Sequence, residues 1–246
     1  MREIIRSSDN KTVKEIRKLR QRKNRDKFGK CVIESRKLLM EALESNVQIE
    51  IFLLREDVNI TEDEFSGTKV RFVDYGIFNE ISTLESPDGY MAIINIDSKF
   101  SDLSDKVLIL DKIQDPGNLG TMIRSAEAFG FNTVCAIDSV DPYNEKSIRA
   151  SMGSIFRIGF SRISYEDLEE IKKSHKIFCA DMSGKSFKEV NFSDKIALVI
   201  GNEANGISNE MKFYMDDTIK IDMLGKIESL NAAISASILM NYIINL

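Results

Sequence analysis

Histidine is nearly absent from this 246-residue chain; the single one, His175, lies in the charged helix end Ile171-Lys-Lys-Ser-His175-Lys. A Cys/His zinc site, a histidine-based acid–base pair and a Ser-His-Asp triad all lose their raw material, and no metal site is expected. Cysteine is scarce as well. Cys31, Cys135 and Cys179 are odd in number, far apart and set in apolar strand-like runs, which reads as buried structural thiols rather than disulfides. Three Pro and 13 Gly exclude a collagenous or low-complexity chain, and no apolar run approaches the ~20 residues that cross a bilayer. The start, Met1-Arg-Glu-Ile-Ile-Arg6, enters charged sequence without the apolar core of a secretory signal, so the expected compartment is the cytoplasm. With 43% apolar residues, the chain has enough material for one large or two modest globular domains.

Charge is unevenly placed. Residues 1–30 hold twelve Lys or Arg against four acidic residues, a local +8 in a chain whose total is −5. Within that segment Val13, Ile16 and Leu19 recur at helical spacing, so one stripe docks on a core and the rest forms a basic face. That face is either solvated or a phosphate-contacting surface, with Lys14, Arg17, Lys18 and Arg20 as the candidate RNA contacts; charge alone does not choose.

The periodicity predicts a first α/β unit. Its strands are Cys31–Ile33, Ile49–Leu54, Val70–Val73 and Tyr90–Ile96, with helices over Arg36–Glu44 and near Tyr75–Leu84. The polar stretch Asp97–Asp105 breaks the pattern and suggests a boundary near residue 101, giving domains 1–100 and 101–246. The second unit alternates throughout. Strands are predicted at Val107–Leu110, Thr133–Ile137, Ile177–Ala180, Ile196–Ile200 and Thr218–Ile221. Helices are predicted near Thr121–Phe129, Glu145–Met152, Tyr165–Ser174, Ser208–Met215 and Ala232–Asn245. Continuous apolar strands separated by helices imply a mostly parallel sheet covered on both faces. Ligands in such sheets collect beyond the carboxyl ends of the strands.

Three of those ends are unusual. After Leu110 comes Gln114-Asp-Pro-Gly-Asn118-Leu-Gly120-Thr-Met-Ile-Arg124, with a tight turn expected at Pro116–Gly117 and Arg124 in the first turn or two of the next helix, where a helix start already attracts anions. After Ile200 comes Gly201-Asn-Glu203-Ala-Asn-Gly206. It lacks the Lys-Ser/Thr of a phosphate-binding P-loop, and no Gly-x-Gly-x-x-Gly follows any strand, which disfavours nucleotide hydrolysis and nicotinamide binding. After Ile221 comes Asp222-Met-Leu-Gly-Lys-Ile-Glu228-Ser229-Leu230-Asn231. Taken singly, each loop admits a plainer reading: a surface arginine, a solvated carboxylate, a helix cap. The last helix, from Ala232, is apolar nearly all round and needs cover from its own domain and from a second subunit.

Together, in this order, the loops resemble the three signature motifs of the SpoU (TrmH-like) RNA ribose methyltransferases of the SPOUT superfamily. The matches are Asn118-x-Gly120-x-x-x-Arg124-x-Ala126, Leu198-Val-x-Gly201-x-Glu203-x-x-Gly206 and Ser229-Leu230-Asn231. The resemblance covers residues ~105–246, and the first hundred look like that family's smaller ribosomal-protein-like RNA-binding domain, through Val32-Ile-Glu34 and Asp88-Gly89-Tyr-Met-Ala92. It implies a C-terminal parallel-sheet domain with a trefoil knot, S-adenosylmethionine bound in the knot, and a homodimer through the knotted domain and last helix. By matching positions, Gly201, Ile221 and Leu230 hold the cofactor, and Asn118, Arg124, Glu203, Ser229 and Asn231 line the catalytic pocket. Three positions depart from the pattern: Asp222 stands where a proline is common, Ser35 where a glycine is usual, and Asp88 where a glutamine is common.

The reaction implied is methyl transfer to a ribose 2′-hydroxyl of structured RNA, with ribosomal RNA preferred and transfer RNA the alternative. A guanidinium carries no acceptor at ordinary pH, so Arg124 is expected to grip a phosphate and stabilise the developing alkoxide rather than act alone as base. Ser229, Asn118 and Asn231 are expected to orient the ribose, and Glu203 to orient Arg124 or Asn118. The rival readings are a non-catalytic RNA-binding module that keeps the fold, and a nucleotide-dependent enzyme using the Gly201–Gly206 loop.

Overall fold

The computed structural model describes residues 3–60, 65, 68–96 and 103–246. It divides into two compact units, Met1–Asp97 with Tyr143–Phe156, and Ser98–Pro142 with Arg157–Leu246. The boundary expected near residue 101 lies outside the described residues.

The first unit runs β1 (Ile4–Ile5), α1 (Lys11–Leu19), α2 (Arg22–Phe28), β2 (Lys30–Glu34), α3 (Arg36–Glu44), β3 (Ile49–Arg55), β4 (Val70–Val73), α4 (Tyr75–Ile81) and β5 (Tyr90–Asn95). Its sheet order is β1-β4-β3-β5-β2; β5 runs antiparallel to both β2 and β3, and the other pairs are parallel. Strand alternation divides the core in two. Val32, Ile51, Leu53, Met91 and Ile93 meet Val13, Ile16 and Leu19 of α1 and Phe78 of α4 on one face. Cys31, Ile33, Phe52, Leu54, Ala92 and Ile94 meet Leu38, Leu39 and Ala42 of α3 on the other. The predicted stripe of α1 is therefore the docking face, with all three residues buried. The basic segment makes two helices, because the backbone turns extended at Gln21, between the C-cap Arg20 of α1 and the start of α2.

The helix expected at Glu145–Met152 forms as Glu145–Ser151, and its Ile148 joins the α3 side of this first unit's core. A polar network ties it down. Arg20 donates to Glu34 and to Glu145, both at 2.8 Å, and to the Ile81 carbonyl at 2.6 Å. Buried Glu34 also accepts from Ser82 Oγ, Thr83 N and Thr83 Oγ1. Ser35 keeps a glycine's backbone, φ 96°, while its hydroxyl caps α3 by accepting from Leu38 N. Asp88 accepts from Arg36 N at 2.8 Å and Tyr90 N at 3.2 Å, so both departures from the resemblance sit at one turn.

In the second unit β6 (Lys106–Asp111), α5 (Pro116–Ala128), β7 (Thr133–Ile137), β8 (Gly159–Arg162), α7 (Leu168–Lys172), β9 (Lys176–Ser186), β10 (Ile196–Ile200), β11 (Asp217–Lys220) and α8 (Ala232–Ile244) follow, α6 being the Glu145–Ser151 helix above. The six strands form one parallel sheet in the order β11-β9-β10-β6-β7-β8. The strand β10, Ile-Ala-Leu-Val-Ile, is buried throughout, as a central parallel strand covered on both faces must be. Helices α5 and α8 pack together, joined by a 2.7 Å contact between Ser125 Oγ and Ser237 Oγ.

Several predicted elements shift for identifiable reasons. Helix α5 starts at Pro116 rather than Thr121: Asp115 caps it, its Oδ1 accepting from Asn118 N at 2.8 Å, and proline is preorganised for the first helical position. Arg124 consequently falls in the third turn, beyond the helix start, which corrects the expectation that it lies in the first turn or two and strengthens the pull of that end on anions. The helix expected over Ser208–Met215 shrinks to a single 3₁₀ turn, Met211–Phe213. There the fully buried carboxylate of Asp111 draws Ser208 N at 2.7 Å and the Tyr165 hydroxyl at 2.7 Å, pinning the segment to the end of β6. Short β1 and β8 gave no periodic signal to read. His175 is buried, with Nε2 2.9 Å from the Ser104 carbonyl oxygen and Nδ1 2.8 Å from Ser174 Oγ; its role is structural.

Candidate active site

The carboxyl ends of β10 and β11, the middle of β9 and the start of α8 surround a cavity in the second unit. Gly201, Glu203 and Gly206 line it from the loop after β10, Ile221, Met223, Ser229 and Leu230 from the segment after β11, and Ala180, Asp181 and Met182 from β9. Gly201 is there because nothing larger fits: a Cβ on it would stand 2.5 Å from the Ile207 nitrogen and closer still to the Gly206 carbonyl. Asn202 and Gly206 close the loop by exchanging backbone hydrogen bonds, both 2.9 Å.

At the cavity rim the three loops join through side chains. The Glu203 carboxylate accepts from Asn118 Nδ2 at 3.1 Å, Asp115 N at 3.2 Å and Gln114 N at 3.3 Å. Asn118 Oδ1 in turn accepts from Asn231 Nδ2 at 2.9 Å. Asn231 also caps α8, its Oδ1 accepting from Ala233 N and Ile234 N, so one side chain both caps the helix and holds Asn118. Partial burial pushes the Glu203 carboxyl upward, but the bonds from Asn118 and the loop amides outweigh it and hold the group below its ordinary value.

Of the expected site residues, Gly201, Ile221, Leu230, Glu203 and Ser229 line the cavity, and Asn118 and Asn231 complete the relay. Glu203 holds Asn118, not Arg124. Arg124 is exposed on α5 and makes no hydrogen bond or ion pair among the described residues, so its guanidinium is uncommitted. Asp222 does not line the cavity; its carboxylate accepts from Ser186 Oγ at 2.5 Å, tying the loop after β11 to the end of β9. Asp115, Gln114 and Asp181 were not foreseen as contributors. Asp115 was legible as a cap, since Asp followed by Pro marks a helix start.

In the first unit the four basic candidates differ. Lys18 is exposed and without an acidic partner among the described residues, while exposed Lys14 pairs with Asp9 at 2.9 Å and exposed Arg17 with Glu80 at 2.6 Å. Arg20 is turned inward onto Glu34 and Glu145, an arrangement that serves the fold.

A parallel α/β unit with a cavity over its strand ends, rimmed by a carboxylate–carboxamide relay from three separate loops, has the architecture of a small-molecule-binding protein. Residues 105–241 match the SpoU rRNA Methylase family, and residues 10–92 match the MRM3-like substrate binding domain. The chain belongs to the SpoU rRNA methylase family. It is 32% identical over 243 residues to the 23S rRNA (guanosine(2553)-2′-O)-methyltransferase RlmP of Bacillus subtilis (strain 168), covering 97% of this chain and 98% of that protein. The AdoMet-bound rRNA methyltransferase from Sinorhizobium meliloti superposes with a TM-score of 0.85 at 26% identity, over 97% of this chain and 95% of that one. The SpoU methyltransferase AviRb from Streptomyces viridochromogenes shares the fold, with a TM-score of 0.86 at 22% identity over 96% and 97% of the two chains.

Proposed function

We propose that this protein is an S-adenosylmethionine-dependent methyltransferase acting on a ribose 2′-hydroxyl of ribosomal RNA. The observation that carries the reading is the relay Glu203–Asn118–Asn231, which links all three motifs at the rim of one cavity. Family membership and the rRNA methyltransferases similar over nearly the whole chain support the reaction and favour ribosomal over transfer RNA.

The residues fit the cofactor. Backbone is bare at Gly201, apolar contact is offered by Ile221, Leu230 and Met223, and the Asp181 and Glu203 carboxylates suit a cationic ligand. Bound there, S-adenosylmethionine supplies an electrophilic methyl group on a positively charged sulfur. The chain supplies alignment and charge. Asn118, held at both ends of its amide, and the Ser229 hydroxyl, without a partner among the described residues, orient the ribose. Arg124 pairs with the RNA phosphate and stabilises the alkoxide as the hydroxyl proton leaves to that phosphate or to water. Lys14, Arg17 and Lys18 add phosphate contacts from the first unit.

Two further features belong to the same reading. Ile234 and Ile238 of α8 are 53% and 36% exposed, which supports a homodimer covering that helix. Family membership supports a C-terminal segment threaded as a trefoil knot, and three buried thiols, none in a disulfide among the described residues, suit the reducing cytoplasm. The test is transfer of labelled methyl from S-adenosylmethionine to deproteinised rRNA of a strain lacking this gene. Wild type should label it at a ribose; Arg124→Ala should abolish transfer while keeping cofactor affinity. No labelling by wild type, or full turnover by the variant, would refute the assignment.

A further inference from the structure

A second cleft of about 570 Å³ lies at the carboxyl ends of β6 and β7, on the far side of the Asn202–Gly206 loop from the cofactor cavity. Asn202 and Gly206 line both spaces, so the loop is a common wall. Two residues beside the cleft hold left-handed backbone that only glycine adopts freely: Lys112, φ 59°, and Asp138, φ 44°, each one position past its strand. The surroundings enforce both. Gln114 Nε2 donates to the Asp138 carbonyl at 2.9 Å and the Lys112 carbonyl at 3.3 Å, and Asn202 Nδ2 donates to the Lys112 carbonyl at 2.8 Å. Strain enforced in this way marks a position where side-chain direction matters.

The contents of the cleft define its ligand. Two lysines, Lys112 and Lys212, face two carboxylates, Asp138 and Glu210, so the cleft is close to neutral and is no phosphate site. Lys112 is already paired with Glu210 at 3.3 Å. The Asp138 carboxylate is exposed and makes no hydrogen bond or ion pair among the described residues. It accepts and cannot donate. A neutral, polar heterocycle with adjacent donors matches it, and among the nucleobases only guanine presents two neighbouring donors, N1–H and N2–H₂, to one carboxylate. Uracil offers a single N–H between two carbonyls; adenine and cytosine set one amino group beside an acceptor nitrogen.

We infer that this cleft seats the base of the target nucleotide, and that Asp138 selects guanine by accepting from its Watson–Crick edge. The inference rests on the methyltransferase reading: with Gln114 lining the cleft and its backbone N–H bonded to Glu203, a base here sets its sugar beside the Glu203–Asn118 relay. The Watson–Crick edge must be free, so the target lies in an unpaired or extruded nucleotide.

The experiment maps the methylated nucleotide in deproteinised rRNA, then compares synthetic RNA fragments carrying guanosine, inosine, adenosine, cytidine or uridine at that position. Inosine lacks only the N2 donor. Wild type should prefer guanosine over inosine by about tenfold to a hundredfold in kcat/KM. Asp138→Asn, which tolerates the left-handed backbone, should bring that ratio near one while leaving cofactor affinity within twofold. A mapped nucleotide other than guanosine, equal use of inosine by the wild type, or an unchanged ratio in Asp138→Asn would overturn this inference alone. Failure of wild type to methylate any rRNA would overturn the underlying function as well.

Discussion

Gly201→Ala tests whether the loop after β10 is built around a missing side chain. The added Cβ would meet backbone, not the movable end of a side chain: the Gly206 carbonyl and the Ile207 nitrogen, the latter at 2.5 Å. Two responses are open. If the loop stays, the clash is carried as overpacking, about 1–3 kcal/mol. If it moves, the reciprocal Asn202–Gly206 bonds are lost, at about 0.5–1.5 kcal/mol each, again about 1–3 kcal/mol together. Both routes displace or strain the wall of the cofactor cavity, so S-adenosylmethionine affinity should fall by about tenfold or more, 1.4 kcal/mol corresponding to each factor of ten. The assays are urea denaturation and calorimetric titration of the cofactor. Gly225→Ala is the control, because a Cβ there meets no atom within 4 Å and should stay within about 0.5 kcal/mol of wild type. Gly201→Ala matching that control in both assays would refute the close-approach argument.

Four other outcomes follow from particular contacts. Ser35→Gly should stabilise the protein by about 1 kcal/mol in denaturant titration, since relief of the φ 96° backbone exceeds the few tenths lost from the cap. Arg20→Ala leaves buried Glu34 without its cation and should cost about 3–5 kcal/mol by the same measurement, whereas Lys18→Ala should leave stability unchanged and flatten the salt dependence of RNA binding. Because the Glu203 carboxyl is held below its ordinary value, its stabilising contribution is present above that value and is lost as pH falls through the folded one; the stability gap between wild type and Glu203→Gln should be constant from pH 6 to 8 and close below about pH 4.5, as urea midpoints will show. Asn231→Asp retains the cap of α8 but deletes the donor to Asn118, so melting temperature should hold while methyl transfer drops by about tenfold, and Asn231→Ala should lower both.

Much of this arrangement is legible in the chain because its signals are local. The strands Val70–Val73, Thr133–Ile137 and Ile196–Ile200 coincide with apolar β-branched runs, and the α1 stripe shows its buried face at helical spacing. What escaped depends on distant partners. Nothing near Ser208 announces that its amide is taken by Asp111, 97 positions away, and that this bond leaves only a 3₁₀ turn where a helix was expected. Arg20 looks like its basic neighbours in sequence; only the three-dimensional placement of Glu34 and Glu145 turns it inward. The motifs identified Glu203, Asn118 and Asn231 but not their order of contact. That the carboxylate grips Asn118 and leaves Arg124 uncommitted required the capped start of α5 at Asp115, which swings Asn118 into the first helical turn.

That order of contact has a mechanistic consequence. In the proposed reaction, a carboxylate bonded directly to Arg124 would neutralise the cation meant for the RNA phosphate and the developing alkoxide, at a cost comparable to breaking a charge-assisted pair. Directing Glu203 onto two backbone amides and a carboxamide instead spends its charge on fixing the loop Gln114–Asn118, while Asn231 passes the constraint on to the start of α8. The helix that exposes Ile234 and Ile238, the face of the proposed homodimer, therefore begins at a residue of the relay. Seating of α8 and geometry of the relay are set by the same side chain, so a change that loosens the helix reaches the site without touching cofactor or RNA.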